Sequence, residues 1–442
     1  MKLAVPVVVV QVGLMAMGVV DTMMVGRVSA EAIAAVALGN IYVITVAMLG
    51  AGILMVLDPL VSQAIGAKDQ VGVARAVQRG LVLAVLLSVP ISAALLPSAT
   101  VFRWFGQGAT VVPAAATYVR IAATAMLPFL VFAVLRHTLQ AMHRLATLVW
   151  VIVLANLANA LLDWIMIFGH FGLPAMGVAG AAWATVIGRW LMALGLAVAA
   201  WRALRPVIVP WRRESLELAP LWRTVRLGVP IGVQIQLEYG VFAVVGLVMG
   251  RIGAVEMAGH QIALNIASLT YMVPLGVSTA SAILVGYAVG RGDPVEARRA
   301  ARAGLIIGVG IMVLNAAVLL GAPGLVARAY TTNAAVITVA AALIPLAGVF
   351  QVFDGTQVVS IGILRGVGDT RTPMIVNLIG YWVIGLPVGV WLGLRLGWGP
   401  RGLWWGLVVG LVVVALVLLA RVRVRLAGDL RRIVVDRDPL KA

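Results

Sequence analysis

The chain has 442 residues, of which 62% are hydrophobic and 11% charged, and a formal net charge of +17. A soluble globular protein is closer to half apolar and a quarter charged, and a mean hydropathy of +1.08 does not fit a water-facing surface. The lack of cysteine excludes disulfides, thiolate nucleophiles, Cys-ligated zinc and iron–sulfur clusters.

A membrane-spanning helix needs about 20 mainly apolar residues. Twelve such stretches follow in chain order: 3–26, 33–57, 77–97, 114–136, 146–169, 176–200, 227–250, 258–286, 301–321, 335–362, 373–394 and 402–421. No run of alternating ten-residue segments suggests a membrane β-barrel. The first apolar run is too long for a secretory h-region, carries Asp21 and lacks a cleavage site, so no cleavable signal peptide is expected.

Orientation follows from lysine and arginine in short loops. With the amino terminus inside, 25 of the 33 basic residues fall on the inner side, from Lys2 through Arg298 to Arg437 and Lys441. Six fall outside (Arg27, Arg103, Arg251, Arg328, Arg395, Arg401), and Arg120 and Arg189 lie within spans. Both termini are therefore expected in the cytoplasm. The positive charge is a topology signal, with attraction to anionic lipid secondary and nucleic acid not expected.

The chain also matches itself at an offset near 224. Val5-Pro6, Gly26-Arg27, Gly66 and Asp69 recur as Val229-Pro230, Gly250-Arg251, Gly290 and Asp293. At offset 225, Leu139, Thr147, Gly172 and Gly177 recur as Leu364, Thr372, Gly397 and Gly402. Six spans per half return the chain to the same side, so the halves should be related by a pseudo-two-fold axis along the membrane normal, with transport by rocking around a site between them. The expected organisation is an amino-terminal six-helix lobe over 1–200, a cytoplasmic linker over 201–225, a carboxy-terminal lobe over 226–422 and a basic tail over 423–442.

Charges within hydrocarbon are costly, about 2.5–3.5 kcal/mol each on insertion scales, and default to functional candidates. Asp21 lies late in span 1. Asn159 and Asp163, four apart, share a face of span 5, with Asn156 a turn earlier. An amide beside a carboxylate can hold a proton or ligate a cation, or simply join helices. Glu238 is central in span 7 and Asp354 in span 10, with no Lys or Arg within a turn of either. Each is then protonated, cation-bound or paired across helices, a candidate exchange point for H⁺ or Na⁺. Asp58 and His260 are expected to serve packing. His137 and His143 are assigned to a basic cytoplasmic loop. No phosphate-binding loop, HExxH or nucleophile elbow is present, which argues against an enzyme, a direct role for ATP and any cofactor beyond the coupling ion. The pairs Gly246/Gly250 and Gly362/Gly366 are weak signals of close helix packing.

The sequence resembles the multidrug and toxic compound extrusion (MATE) family, NorM-type branch, along nearly its whole length. The resemblance is carried by Val20-Asp21-Thr22-Met23-Met24-Val25-Gly26, Asp58-Pro59-Leu60-Val61-Ser62-Gln63-Ala64, Leu227-Gly228-Val229-Pro230, Gly259-His260-Gln261-Ile262-Ala263-Leu264-Asn265 and Leu364-Arg365-Gly366-Val367-Gly368-Asp369. It implies an all-α protein of twelve transmembrane helices in two six-helix lobes. It also implies export of organic cations against inward H⁺ or Na⁺, as a monomer in a bacterial inner membrane. Glu238, Asp354, Asp21, Asp163 and Asn159 match cation-coupling positions. Glu238, Asp354, Asp21, Phe242, Gln261 and Gln351 form the candidate substrate-binding set, and Glu238 and Asp354 the sodium ligands of a Na⁺-coupled protein. Phe350 stands where some relatives carry a tyrosine, which removes one hydroxyl ligand. A lipid-linked oligosaccharide flippase is the alternative, but it would want basic residues where these spans offer acids.

Overall fold

A computed structural model describes residues 4–436, so Lys2, Arg437 and Lys441 of the inside set lie outside the described residues. The amino-terminal half contains α1 (Ala4–Val25), α2 (Ala30–Leu54), α3 (Leu57–Gly66), α4 (Gln70–Leu95), α5 (Ser98–Trp104), α6 (Val112–Ala123), α7 (Met126–Ala141), α8 (Leu145–Phe168), α9 (Val178–Ala199) and α10 (Trp201–Ile208). The second half contains α11 (Leu218–Ile252), α12 (Ala254–Arg291), α13 (Pro294–Gly321), α14 (Pro323–Arg328), α15 (Ala334–Gly366), α16 (Arg371–Asn377), α17 (Leu386–Val390) and α18 (Pro400–Ala427). No strand occurs among the described residues. Eleven helices are long and apolar enough to cross a membrane, and twelve if α6 and α7, bent by 52° across their short break, count as one span. That bend falls inside what the sequence reads as the single span 114–136.

The side-chain pattern of α8 shows why these helices belong in lipid. Trp150, Leu154, Leu157 and Leu161 are exposed, whereas Asn159 and Asp163 are buried. Polar inside and apolar outside inverts the soluble pattern and satisfies a solvent that offers no hydrogen bonds.

By packing, the described chain divides into two compact units: Val9–Gly232 with 434–436, and Val233–Ile433 with 4–8. The boundaries fall inside α1 and inside α11. Residues 201–225 and the end of the tail thus pack with the amino-terminal unit. Gln78, on α4, explains much of this. Its amide nitrogen donates to the carbonyls of Val207, Ile208 and Pro210, and its oxygen accepts from Arg212 N and Ser215 Oγ.

The internal repeat is visible in the backbone. Asp69 accepts from Gly72 N at 2.8 Å to cap α4, and Asp293 accepts from Glu296 N at 2.9 Å to cap α13. Such caps contribute about 1 kcal/mol each. Left-handed residues also recur in register: Lys68 with Gly292, His143 with Gly368, and Gly172 with Gly397. In the carboxy-terminal unit a Cβ on Gly362 or Gly366 would strike α12 backbone, so that pair does serve close packing. Gly246 and Gly250 meet nothing closer than ordinary contact and do not.

Candidate functional site

In the amino-terminal unit, three helices bring their polar side chains to one point. Asn159 Nδ2, on α8, donates to Asp21 Oδ1 on α1 at 2.6 Å and to Asp163 Oδ2 at 2.9 Å. The i, i+4 spacing read from sequence lets the amide reach Asp163, and the approach of α1 to α8 brings Asp21 to it. The hydroxyl of Thr185, on α9, lies 3.1 Å from Asp21 Oδ2 and 2.9 Å from the Ala181 carbonyl, and donates to one of them. Asn159 and Asp163 are fully buried and Asp21 nearly so. Two acceptors in the cluster, Asn159 Oδ1 and Asp163 Oδ1, have no hydrogen-bond partner. Bare buried oxygens are costly unless a proton or cation meets them. Gly188 makes room for the bridge: a Cβ there would lie 2.8 Å from Asn159 Oδ1. Arg189, one residue on, rests its guanidinium 5.0 Å from the centre of the Phe129 ring, a cation–π contact.

A second polar centre in this unit corrects one expectation. His137 is not in a loop but on α7, buried, with Nδ1 2.8 Å from Asp58 Oδ1 on α3. Arg136 Nη2 lies 3.1 Å from His137 Nε2. Guanidinium has no acceptor, so Nε2 accepts, and Nδ1 carries the proton and donates to Asp58. The span end read at 136 stops one residue short of this histidine. Asp58 keeps the packing role expected of it.

In the carboxy-terminal unit Asp354, on α15, is 5% exposed and has neither hydrogen bond nor ion pair to any described residue. Glu238, on α11, is half-buried and faces the Tyr271 hydroxyl of α12 at 3.5 Å from Oε1. Trp382 Nε1 donates to Leu237 O at 3.0 Å, fixing the helix beside Glu238. Phe242 packs edge-on against Phe350 at 5.9 Å and lies 6.5 Å from Tyr381. Tyr381 donates to Gln357 Oε1 at 2.8 Å. Gln351 is buried with both polar atoms unpartnered. Gln261, by contrast, is exposed on α12 and touches none of these groups through a hydrogen bond. His260 accepts from Trp404 Nε1 at 3.1 Å and packs edge-on against that ring, a packing role as expected. The sequence reading missed Thr185, Tyr271, Tyr381 and Gln357. An uncharged residue in an apolar span carries no local signal of its role. Tyr271 places a hydroxyl beside Glu238 although Phe350 lacks one. No group of three or more His, Asp or Glu suited to a metal occurs among the described residues.

The MatE family model matches residues 6–165 and 230–391, one match per half of the repeat. The chain belongs to that family, the multidrug and toxic compound extrusion transporters. A probable multidrug resistance protein NorM of Mesorhizobium japonicum is 37% identical, over 95% of this chain and 92% of that protein. A multidrug resistance protein NorM of Burkholderia vietnamiensis is also 37% identical, over the same shares. The crystal structure of the eukaryotic MATE transporter AtDTX14 shares the fold, with a TM-score of 0.87 at 24% identity, over 96% of this chain and 94% of that one. A MATE crystal structure in the bent conformation gives 0.86 at 22%, over 96% and 94%. The protein is a multi-pass membrane protein of this twelve-helix, two-lobe class, and not an enzyme.

Proposed function

We propose that the protein is a secondary active multidrug efflux transporter. It exports lipophilic organic cations in exchange for inward H⁺ or Na⁺ and sits in a bacterial inner membrane with both termini cytoplasmic. The observation that carries the reading is the Asp21–Asn159–Asp163 bridge. Two carboxyl groups buried around one amide leave bare oxygen atoms that only a small positive species can meet, and like charges so close favour sharing a proton or a cation. In the carboxy-terminal unit, Asp354 without a partner and Glu238 beside the Tyr271 hydroxyl offer a second carboxyl set. Phe242 and Phe350 beside it supply faces for an aromatic or alkylated cation. The two multidrug resistance relatives support the substrate class. Each charge moving down the membrane potential supplies about 2.3 kcal/mol per 100 mV, enough to drive uphill export of a charged drug when ion binding and drug binding exclude each other.

Ethidium efflux from vesicles under an imposed pH or sodium gradient tests this, with wild type, Asp21→Asn, Asp163→Asn, Glu238→Gln and Asp354→Asn. Gradient-driven efflux is expected in wild type and at least a tenfold loss, about 1.4 kcal/mol, in one carboxyl set. Full efflux in all four variants would remove these acids from coupling. Absence of efflux under both gradients, with movement of a lipid pyrophosphate instead, would favour the flippase alternative.

A further inference from the structure

The first three turns of α13 carry a feature that transport does not use. Val295, Arg298, Arg299, Arg302, Ala303 and Ile306 line one groove of about 460 Å³. Their spacing puts them on a single stripe of the helix. Arg299 pairs with Glu296 at 3.0 Å. Arg298 spends only its Nε, on the Pro294 carbonyl at 3.1 Å, and neither Arg298 nor Arg302 has an ion pair among the described residues. Two guanidinium groups therefore remain uncompensated at the mouth of the groove, on the side that bears the arginine-rich loops.

The same stripe turns apolar as it runs into the membrane. Ile306 is 73% exposed. One turn on, Gly310 has nothing within 4 Å of where a Cβ would sit, and Val313 beyond it is half exposed. An open glycine notch between two bare aliphatic side chains forms a shallow channel continuous with the basic groove. The ligand that complements both parts has one or two negative oxygens at one end and a long hydrocarbon at the other.

We infer that this stripe of α13 is a binding site for an anionic phospholipid: Arg298 and Arg302 hold the headgroup phosphate, and Ile306, Gly310 and Val313 seat one acyl chain. A surface arginine near an anionic headgroup contributes about a factor of five in affinity, so two contribute about 30-fold. The guanidinium fork matches phosphate oxygens, which a lysine would hold less specifically.

Native mass spectrometry of the full chain in detergent, titrated with dioleoyl phosphatidylglycerol, dioleoyl phosphatidylcholine or inorganic phosphate, tests the site. Wild type should prefer the phosphatidylglycerol by about tenfold or more. Arg298→Gln with Arg302→Gln should lose about 30-fold for that lipid. Arg202→Gln with Arg205→Gln, an exposed arginine pair on α10, should change binding by no more than about twofold. Gly310→Trp should weaken phosphatidylglycerol and leave inorganic phosphate unaffected. All five positions changed in α13 and α10 are exposed, so the helical circular dichroism of these variants should match wild type. Equal binding of the two lipids by wild type, or equal losses in the two arginine pairs, would overturn the site. Phosphate binding as tight as the lipid's, with Gly310→Trp silent, would reduce it to an anion site with no lipid seat.

Discussion

Gly188→Ala is the perturbation that isolates the amino-terminal bridge. The new Cβ would fall 2.8 Å from Asn159 Oδ1, whereas an ordinary van der Waals contact is about 3.4–4 Å, so one side must move by about 0.6 Å or more. Asn159 is the softer partner, because its amide turns about χ2 while the α9 backbone is held by its helix. Turning it moves Nδ2 away from Asp21 and Asp163, to which it donates at 2.6 and 2.9 Å. A hydrogen bond to a charged group contributes about 1.5–3 kcal/mol and a neutral one about 1. With one acid ionised, the loss is about 2.5–4 kcal/mol. The helix preference of alanine over glycine offsets about 0.5–1 kcal/mol of this. The expected result is a lower thermal midpoint in detergent and loss of gradient-driven ethidium efflux. A double-mutant cycle identifies the cause. Asn159→Ala removes the same two bonds, so Gly188→Ala combined with Asn159→Ala should be no less stable than Asn159→Ala alone, a non-additivity of about 2.5–4 kcal/mol. Strict additivity, or wild-type efflux in Gly188→Ala, would refute the claim that Gly188 acts by making room for the bridge.

Three further outcomes follow from named contacts. His137→Ala leaves Asp58 buried without its donor, and losing a hydrogen bond to a buried charged group costs about 1.5–3 kcal/mol; a lowered melting temperature, largely restored by adding Asp58→Asn, is expected, and an unchanged one would sink the pairing. Asp436, about a third exposed, reaches Arg79, only 3% exposed, and also Arg75, while Arg223 donates to Val435 O at 2.8 Å. Asp436→Ala should cost about 1–3 kcal/mol, discounted for its exposure, and speed proteolysis of the tail; equal protease sensitivity would show that the docking contributes nothing. Tyr271→Phe removes the hydroxyl facing Glu238 at 3.5 Å and should leave folding intact while raising the ion concentration for half-maximal efflux about two- to fivefold, the equivalent of a weak hydrogen bond; an unchanged concentration dependence would separate Tyr271 from the ion.

The fold was legible because lipid imposes a harsh rule on sequence. Each crossing needs a long apolar run, and the breaks between runs carry the basic residues. What the rule cannot show is a bend within a run. The 52° turn between Ala123 and Met126 leaves both sides apolar, so 114–136 reads as one straight span and His137 falls just outside it. The Asn159–Asp163 pairing was legible from its spacing, and Asp21 from its charge. That Asn159 also reaches Asp21 and so bridges the two acids was not, since α1 and α8 are 138 residues apart at the contact and only tertiary packing joins them.

The repeat itself explains why the two carboxyl sets differ. Duplication kept what the backbone needs: the Asp69 and Asp293 caps and the left-handed pairs Lys68 with Gly292 and His143 with Gly368. It did not keep the acids. At the same offsets Asp21 answers to Val245, Asn159 to Ile384 and Asp163 to Val388, while Glu238 answers to Leu14 and Asp354 to Phe129. The counterpart of Asp354 is thus an aromatic ring, and that ring holds Arg189. A cap costs little and fixes a helix end in either half, so nothing opposed its retention. A carboxyl group in hydrocarbon is expensive, and the two units surround theirs differently. In the amino-terminal unit the arrangement is two acids around one amide, with bare oxygens and no phenol within hydrogen-bonding distance of either acid. In the carboxy-terminal unit it is an isolated acid and a second acid facing a phenol. Sets so different in donors should differ in preference for a proton or a metal cation, which makes efflux under separate pH and sodium gradients, variant by variant, the measurement that distinguishes their roles.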